Sequence, residues 1–302
     1  MSILIRKDTT FIVQGITGRE AVSLTRENLD YGATIVGGVT PGRAGRDVYG
    51  VPVYDCVRDV VAKHGPVEGS IVSVPPGFTR DAVFEAIENG VKTIVVVTEN
   101  IPRKEVAQMV ELATLRGARI IGPNCLGIIS PDDAKMGGVG GPAANTRQAY
   151  KKGNIGVMSR SGGMTTEIAS TLTAAGLGQS TCVSIGGDAI VGTTYAELMP
   201  LFEADPETEA IAIYSEPGGR MEAELADWVR ENDSRLQIVA FMAGRFMDEM
   251  PGMRFGHAGT IVEGKADTTA DKIERMRGAG IAVAERIEEI PELIAERMGE
   301  AS

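Results

Sequence analysis

The chain carries two histidines, and they stand in unlike settings. His257 lies in Phe255-Gly256-His257-Ala258-Gly259, with small residues on both sides. A glycine-walled loop lets an imidazole reach a phosphorus atom in line and then swing away. Imidazole nitrogen is a good nucleophile near neutral pH and a good leaving group once phosphorylated. Taken alone, the loop fits a phosphoryl carrier or a histidine with a structural role. His64, in Lys63-His64-Gly65-Pro66, reads as the end of a helix, where a cation favours the dipole. A phosphoryl carrier also needs a seat for the anion. Ser159-Arg160-Ser161-Gly162-Gly163-Met164 runs from a strand end into a helix. There Ser161 can cap, while Gly162 and Gly163 bare the first N–H groups. An ordinary capped helix has the same features.

A second set of ligand-type loops occupies the first half. Gly15-Ile16-Thr17-Gly18 turns a strand into a helix and lets backbone approach a phosphate. Dinucleotide-binding folds place an acid after the second strand to hold the ribose hydroxyls. Here Val39-Thr40-Pro41-Gly42-Arg43 follows, without a carboxylate. That argues against NAD and for a phosphorylated ribose or adenine as in CoA, with Arg43 as a phosphate partner or a solvated loop cation. Pro75, the Thr98-Glu99-Asn100 run and the Asn124-Cys125 pair also follow strands, where open α/β sheets bind ligands. One elongated groove along this edge is expected. Cys125 itself reads as a buried structural thiol.

These loops need a scaffold. Strand-like runs at 10–14, 34–39, 70–74, 93–97 and 119–121 alternate with helical patterns, and they are mostly apolar on both faces, as in a doubly wound parallel sheet. Residues 131–152, rich in Gly, Pro, Ala and Asn, read as a linker. The alternation then restarts, with strands at 155–159, 181–185, 210–214, 237–242 and 282–284. The expectation is two α/β domains, 1–130 and 153–302, the second flavodoxin-like.

Composition fits this. Hydrophobic residues make up 43% and charged residues 24% of 302, enough for two cores. A net charge of -11 argues against nucleic-acid or anionic-membrane binding, both of which need a basic face. Three scattered cysteines show no metal-ligand spacing and fit a reducing compartment. No run is long enough to span a bilayer, and a cytoplasmic protein is expected.

The run Gly37-Gly38-Val39-Thr40-Pro41-Gly42, the Thr98–Pro102 loop, the Gly122–Gly127 loop, the Ser159–Gly162 turn, residues 178–188 and the Gly256–Gly259 loop together resemble succinyl-CoA synthetase α subunits, in the same order over nearly the whole chain. The resemblance implies a Rossmann-like CoA-binding domain followed by a flavodoxin-like CoA-ligase domain. It implies that His257 carries the phosphoryl group, that Glu216 bonds it, and that Ser161, Gly162 and Gly163 hold phosphate. It also implies a separate ATP-grasp β subunit with ATP or GTP and Mg²⁺. The reaction would run from phosphohistidine through an acyl phosphate to acyl-CoA. Leu126 stands where the succinate enzymes carry Pro, and Thr166 lies in the helix after the Ser-Gly turn; both are placed near the acid pocket. The Ser161-Gly162-Gly163-Met164 run is closer to citrate-using relatives. Succinate leads as substrate, with malate, citrate or another small acid as alternatives. An NAD-dependent oxidoreductase and a non-catalytic CoA-binding module are the competing classes.

Overall fold

The computed structural model describes residues 2–253, 255–262 and 268–300. Two seven-stranded sheets organise the chain. The first contains β1 (Thr10–Gln14), β2 (Thr34–Val39), β3 (Asp47–Val48), β4 (Val51–Tyr54), β5 (Gly69–Val72), β6 (Thr93–Val96) and β7 (Arg119–Ile121), ordered β3-β4-β2-β1-β5-β6-β7. With the antiparallel edge strand β3 set aside, the parallel strands run third, second, first, fourth, fifth, sixth. That is the order of dinucleotide-binding folds. All four residues of β5 are buried, as a central strand covered by helices on both faces requires. Helices α1 (Arg19–Tyr31), α2 (Val57–His64), α3 (Pro76–Glu88) and α4 (Arg103–Arg116) supply the crossovers. Helices α1 and α4 end on Gly32 and Gly117, whose positive φ of 108° and 61° only glycine adopts without strain.

The second sheet holds β8 (Gly127–Ser130), β9 (Ala134–Gly137), β10 (Lys152–Ser159), β11 (Gln179–Ser184), β12 (Ala210–Ser215), β13 (Gln237–Met242) and β14 (Ala282–Ala284), ordered β14-β13-β12-β10-β11-β8-β9. Its parallel strands run second, first, third, fourth, fifth from β11 to β14, the flavodoxin-like order. Around it lie α5 (Ala143–Ala149), α6 (Gly162–Ala174), α7 (Tyr195–Glu203), α8 (Met221–Asn232), α9 (Thr269–Gly278) and α10 (Ile290–Glu300).

One expectation is corrected here. The segment 131–152 is not a plain linker, because β9 and α5 lie within it. The 130/131 position falls inside the antiparallel β8–β9 hairpin, which extends the second sheet beside β11. Ile128, Ile129 and Met136 are fully buried in that hairpin, so apolar contact decides its place over the glycine and proline content around it. The β3–β4 hairpin was also unforeseen; its Val51 and Val53 are buried while Pro52 between them is exposed.

The halves are stitched together at two places. Buried Asn28 of α1 accepts from the Gly137 N–H at 3.1 Å and donates to the Gly137 carbonyl at 2.9 Å. Its amide thus replaces a strand partner at the end of β9. Nearby, Arg147 donates to the Tyr31 carbonyl and its guanidinium lies 4.6 Å over the Tyr31 ring. At the other seam, the Gly122 N–H donates to the Ile185 carbonyl and the Gly187 N–H to the Asn124 carbonyl. These two loops follow strands of different sheets, so both ligand edges converge there.

Asn28→Ala removes both partners of the Gly137 peptide groups. We expect a loss of about 2–4 kcal/mol in urea unfolding, with an unchanged far-ultraviolet dichroism spectrum, since a buried peptide group left unpaired costs about 1–3 kcal/mol.

Candidate active site

In the second sheet the strand order reverses between β10 and β12, and ligands bind beyond the carboxyl ends of strands at such a point. Ser159 ends β10, and the next residues start α6. Ser161 caps that helix, its Oγ accepting from the Met164 N–H at 3.4 Å. Ser159 Oγ steadies the turn by donating to the Ser161 carbonyl at 2.7 Å. Gly163 is exposed and has open space where a side chain would begin. The turn therefore presents N–H donors at the positive end of a 13-residue helix.

Glu216 follows β12 and is mostly buried, at 7% exposure. Its carboxylate oxygens lie 2.9 and 2.8 Å from His257 Nδ1. In the neutral ring this contact places the proton on Nδ1 and leaves the Nε2 lone pair free. Nε2 makes no hydrogen bond among the described residues. The Glu216 contact raises the His257 pKa above its ordinary value, against the opposing effect of burial; Arg160 lowers it and Asp188 raises it.

What holds Glu216 lies one shell further out. Lys272 of α9 is almost fully buried, and its Nζ donates to the Glu216 carbonyl at 3.0 Å, the Gly218 carbonyl at 2.6 Å and the Glu222 carboxylate at 2.7 Å. The histidine loop is held as well. Thr260 Oγ1 donates to the carbonyls of Phe255 and His257, and the Gly259 N–H donates to the Gly187 carbonyl. The imidazole packs directly on Gly187, where a Cβ would lie 2.5 Å from the ring. Gly259 leaves room in the same way for the buried Arg160 guanidinium, which donates to the carbonyls of Gly186 and Asp188 at 2.9 Å each. The sequence assigns the Gly186–Asp188 turn to architecture; in the structure it is the floor under the histidine.

Three connected clefts line the edge of the first sheet. One of about 530 Å³ is bounded by Gly15, Thr17, Gly18, Val39, Thr40, Pro41 and Pro75, beside the switch between β1 and β5. A second of about 470 Å³ shares Gly18 and Pro75 with it and adds Thr98, Glu99 and Asn100. The third, about 210 Å³, shares Glu99 and Asn100, adds Asn124 and Asp188, and is closed by Ala258 of the histidine loop. The run therefore leads from the first switch point to the residue next to His257.

Three expected ligand residues stand apart from these clefts. Ile16 is fully buried, and its side chain fills the space that Gly38 leaves open. Cys125 is 3% exposed, its thiol donates to the carbonyls of Val96 and Ile121, and burial pushes its pKa up to about 12. Neither side chain lines a cleft. Arg43 is exposed in the loop after Pro41, with its backbone N–H on Asp55. Leu126 does reach the phosphate turn: its side chain occupies the space where a Cβ on Gly162 would be. Thr166 Oγ1 is 2.9 Å from the Tyr150 hydroxyl. No group of three or more His, Cys, Asp or Glu side chains among the described residues is placed to hold a metal ion. No helix among them is long and apolar enough to cross a membrane.

A CoA-binding-domain family model matches residues 6–100, and a CoA-ligase family model matches residues 158–282. Subunit alpha 2 of the ADP-forming succinate–CoA ligase of Archaeoglobus fulgidus is 44% identical over 296 residues, covering 98% of this chain and 99% of that one. The chain belongs to the α-subunit family of acid–CoA ligases. The family also includes subunit SauD of the ADP-forming sulfoacetate–CoA ligase of Bilophila wadsworthia, 43% identical over 99% of this chain and 100% of that subunit. The fold matches that of ATP citrate lyase from Methanothrix soehngenii, solved with citrate and coenzyme A, at a TM-score of 0.91 and 22% identity. This chain spans 50% of that longer one.

The Glu216 contact gives the site a pH signature. Because the folded pKa of His257 is raised, the contact contributes its full stability below the unfolded value of about 6.5 and loses it as pH rises through the folded value. Glu216→Gln should lower the His257 titration midpoint in NMR, with His64→Gln used to assign the two imidazole signals. The same variant should lose more thermal stability at pH 6 than at pH 8.5.

Lys272→Met leaves Glu222 buried and uncompensated, and we expect about 3–5 kcal/mol of destabilisation in urea. Lys272→Met combined with Glu222→Leu should recover much of that stability while leaving the His257 midpoint lowered, because the Glu216 carbonyl has lost its anchor.

Proposed function

We propose that this chain is the phosphoryl-carrying α subunit of a nucleotide-dependent acid–CoA ligase, with Nε2 of His257 as the carrier atom. The observation that supports it most is the two-oxygen contact of Glu216 with Nδ1, which orients the other nitrogen for attack. Ser161, Gly162 and Gly163 serve as the phosphate seat.

The chemistry takes three transfers. Nε2 attacks the terminal phosphorus of ATP or GTP on a partner ATP-grasp β subunit, where Mg²⁺ supplies charge neutralisation. Glu216 stabilises the imidazolium that forms as the N–P bond does. A carboxylate of the acid substrate then takes the phosphoryl group from His257, which restores the neutral ring and gives an acyl phosphate. The acyl group finally passes to the thiol of CoA, a substrate here, with release of inorganic phosphate. The α6 donors act on phosphate in every step, so fixed electrostatic donors supply much of the rate.

The clefts of the first domain suit CoA. No carboxylate follows β2, so the ribose-holding acid of NAD-binding folds is missing. Carboxylates of Asp81 and Glu85 line the α3 side of the largest cleft and suit a base. Anion binding is left to the Thr17–Gly18 turn at the start of α1. The acid substrate is a small carboxylate bearing a second anionic group, a property that succinate and sulfoacetate share. Succinate leads, since succinate–CoA ligase subunits recur among the relatives. The reducing, nucleotide- and CoA-rich cytoplasm is the compartment this reaction needs.

The test combines the chain with its β partner, Mg²⁺ and ATP or GTP labelled on the terminal phosphate. A base-stable, acid-labile label should appear on this chain, vanish in His257→Ala, and form about 10²-fold or more slowly in Glu216→Gln. Succinate, sulfoacetate, malate and citrate are then added in turn with CoA, and the acid that discharges the label is the substrate. A chain that is never labelled, but binds CoA, would leave it a CoA-binding module.

A further inference from the structure

The third cleft joins the two domains at the point where thioester formation has to occur. It is bounded by Glu99, Asn100 and Asn124 from loops of the first domain, and by Asp188 and Ala258 from the second. Because it shares residues with the second cleft, and the second with the first, a long flexible ligand seated on the first sheet ends there. Ala258 adjoins His257, so that end lies beside the phosphoryl carrier.

Asp188 is the acid with access to both sides. It is 8% exposed, and its Oδ1 accepts from Asn124 Nδ2 at 3.2 Å. Arg160 pins its backbone carbonyl rather than its carboxylate. Gly187, the residue before it, carries the imidazole of His257. The carboxylate is thus neither neutralised by a bidentate cation nor dissolved in bulk water. Glu99, by contrast, is exposed on its loop.

We propose that Asp188 is the proton acceptor for the thiol in the last transfer, resting on the ligase reading given above. Asp188 takes the S–H proton as the C–S bond forms at the acyl carbon of the acyl phosphate. The C–O bond to phosphate breaks, and inorganic phosphate leaves with the electron pair. The proton then passes from Asp188 to the departing phosphate or to solvent, which restores the carboxylate. No oxidant or further reactant is needed. Burial raises the Asp188 pKa, and Glu99 adds to this; Asn124, Arg160 and His257 act the other way. A carboxylate made more basic in this way is a better acceptor for a thiol whose own pKa is about 8.5.

The test uses Asp188→Asn in the complete α–β complex. Asparagine keeps the oxygen that Asn124 bonds and removes the basic site. Three readouts separate the steps: labelling of His257 by nucleotide, acid-dependent hydroxamate formation in hydroxylamine without CoA, and acyl-CoA formation with CoA. Succinate and sulfoacetate serve as the acids. We expect the first two to stay within about threefold of the unsubstituted complex, while acyl-CoA formation at pH 7 falls about 10²-fold. We also expect its rate to climb about tenfold per pH unit toward the thiol pKa, because thiolate from solution then replaces the lost base. Acyl-CoA formation near the original rate with an unchanged pH profile would overturn the proposal. So would an equal fall in all three readouts, which would make Asp188 a residue that positions His257. Absence of label in the unsubstituted complex would overturn the ligase reading, and this proposal with it.

Discussion

The contact between Glu216 and His257 Nδ1 sets the chemistry, and much of the second domain serves to fix it. A histidine ring has two nitrogens of similar basicity, and only a directional partner decides which one is free. A carboxylate with both oxygens within 2.9 Å of Nδ1 makes that choice. The carboxylate is useful only if it stays in place, and it follows the last residue of β12 on a loop rich in glycine. Lys272 removes that freedom by bonding two carbonyls of the loop, those of Glu216 and Gly218, from a separate helix.

The same reasoning explains why glycines cluster beneath the ring. Gly187 and Gly259 are sites where any side chain would collide, with the imidazole in one case and with Arg160 in the other. Close approach lets the second-sheet loop hold the histidine loop through main-chain contacts alone, such as the Gly259 N–H on the Gly187 carbonyl. Since the Gly187 N–H donates to Asn124 of the first domain, one short stretch of backbone touches the ligand edge of each sheet. The two domains meet where their strand ends meet, and transfer between bound groups becomes a matter of a few residues.

The two sheets were legible in the sequence because their strands are continuous apolar runs between turn residues, with β1, β2 and β13 at the expected bounds. His257, Glu216 and the Ser161–Gly163 turn were legible through motif context, and the structure brings the first two into contact. The β8–β9 hairpin was not, since glycines and prolines around it read as a linker while the burial of Ile128, Ile129 and Met136 decided its fold. Lys272 gave no local signal: a lysine on a polar helix reads as solvated, and only tertiary packing buries it. Ile16 and Cys125 fell in ligand-type loops, yet a loop contacts ligand through some residues and anchors itself in the core through others. Hydrophobicity at both positions was the available clue to the second role.

The buried charges around the site carry a further lesson about what they are for. Removing a lysine and a glutamate from water costs several kcal/mol per ion, and a well-packed apolar pair in their place is often as stable or more so. Stability therefore does not account for Lys272 and Glu222. An apolar pair cannot bond two carbonyls, whereas an ammonium group has three donors, and Lys272 directs one to each carbonyl and one to Glu222. Arg160 shows the same division: its guanidinium is buried, yet its donors go to the main-chain carbonyls of Gly186 and Asp188 and not to a carboxylate. Both cations act on backbone, and both hold a loop that touches His257. Charge is buried here to fix the geometry of loops that glycine leaves free, and its place in the fold follows the histidine rather than the core.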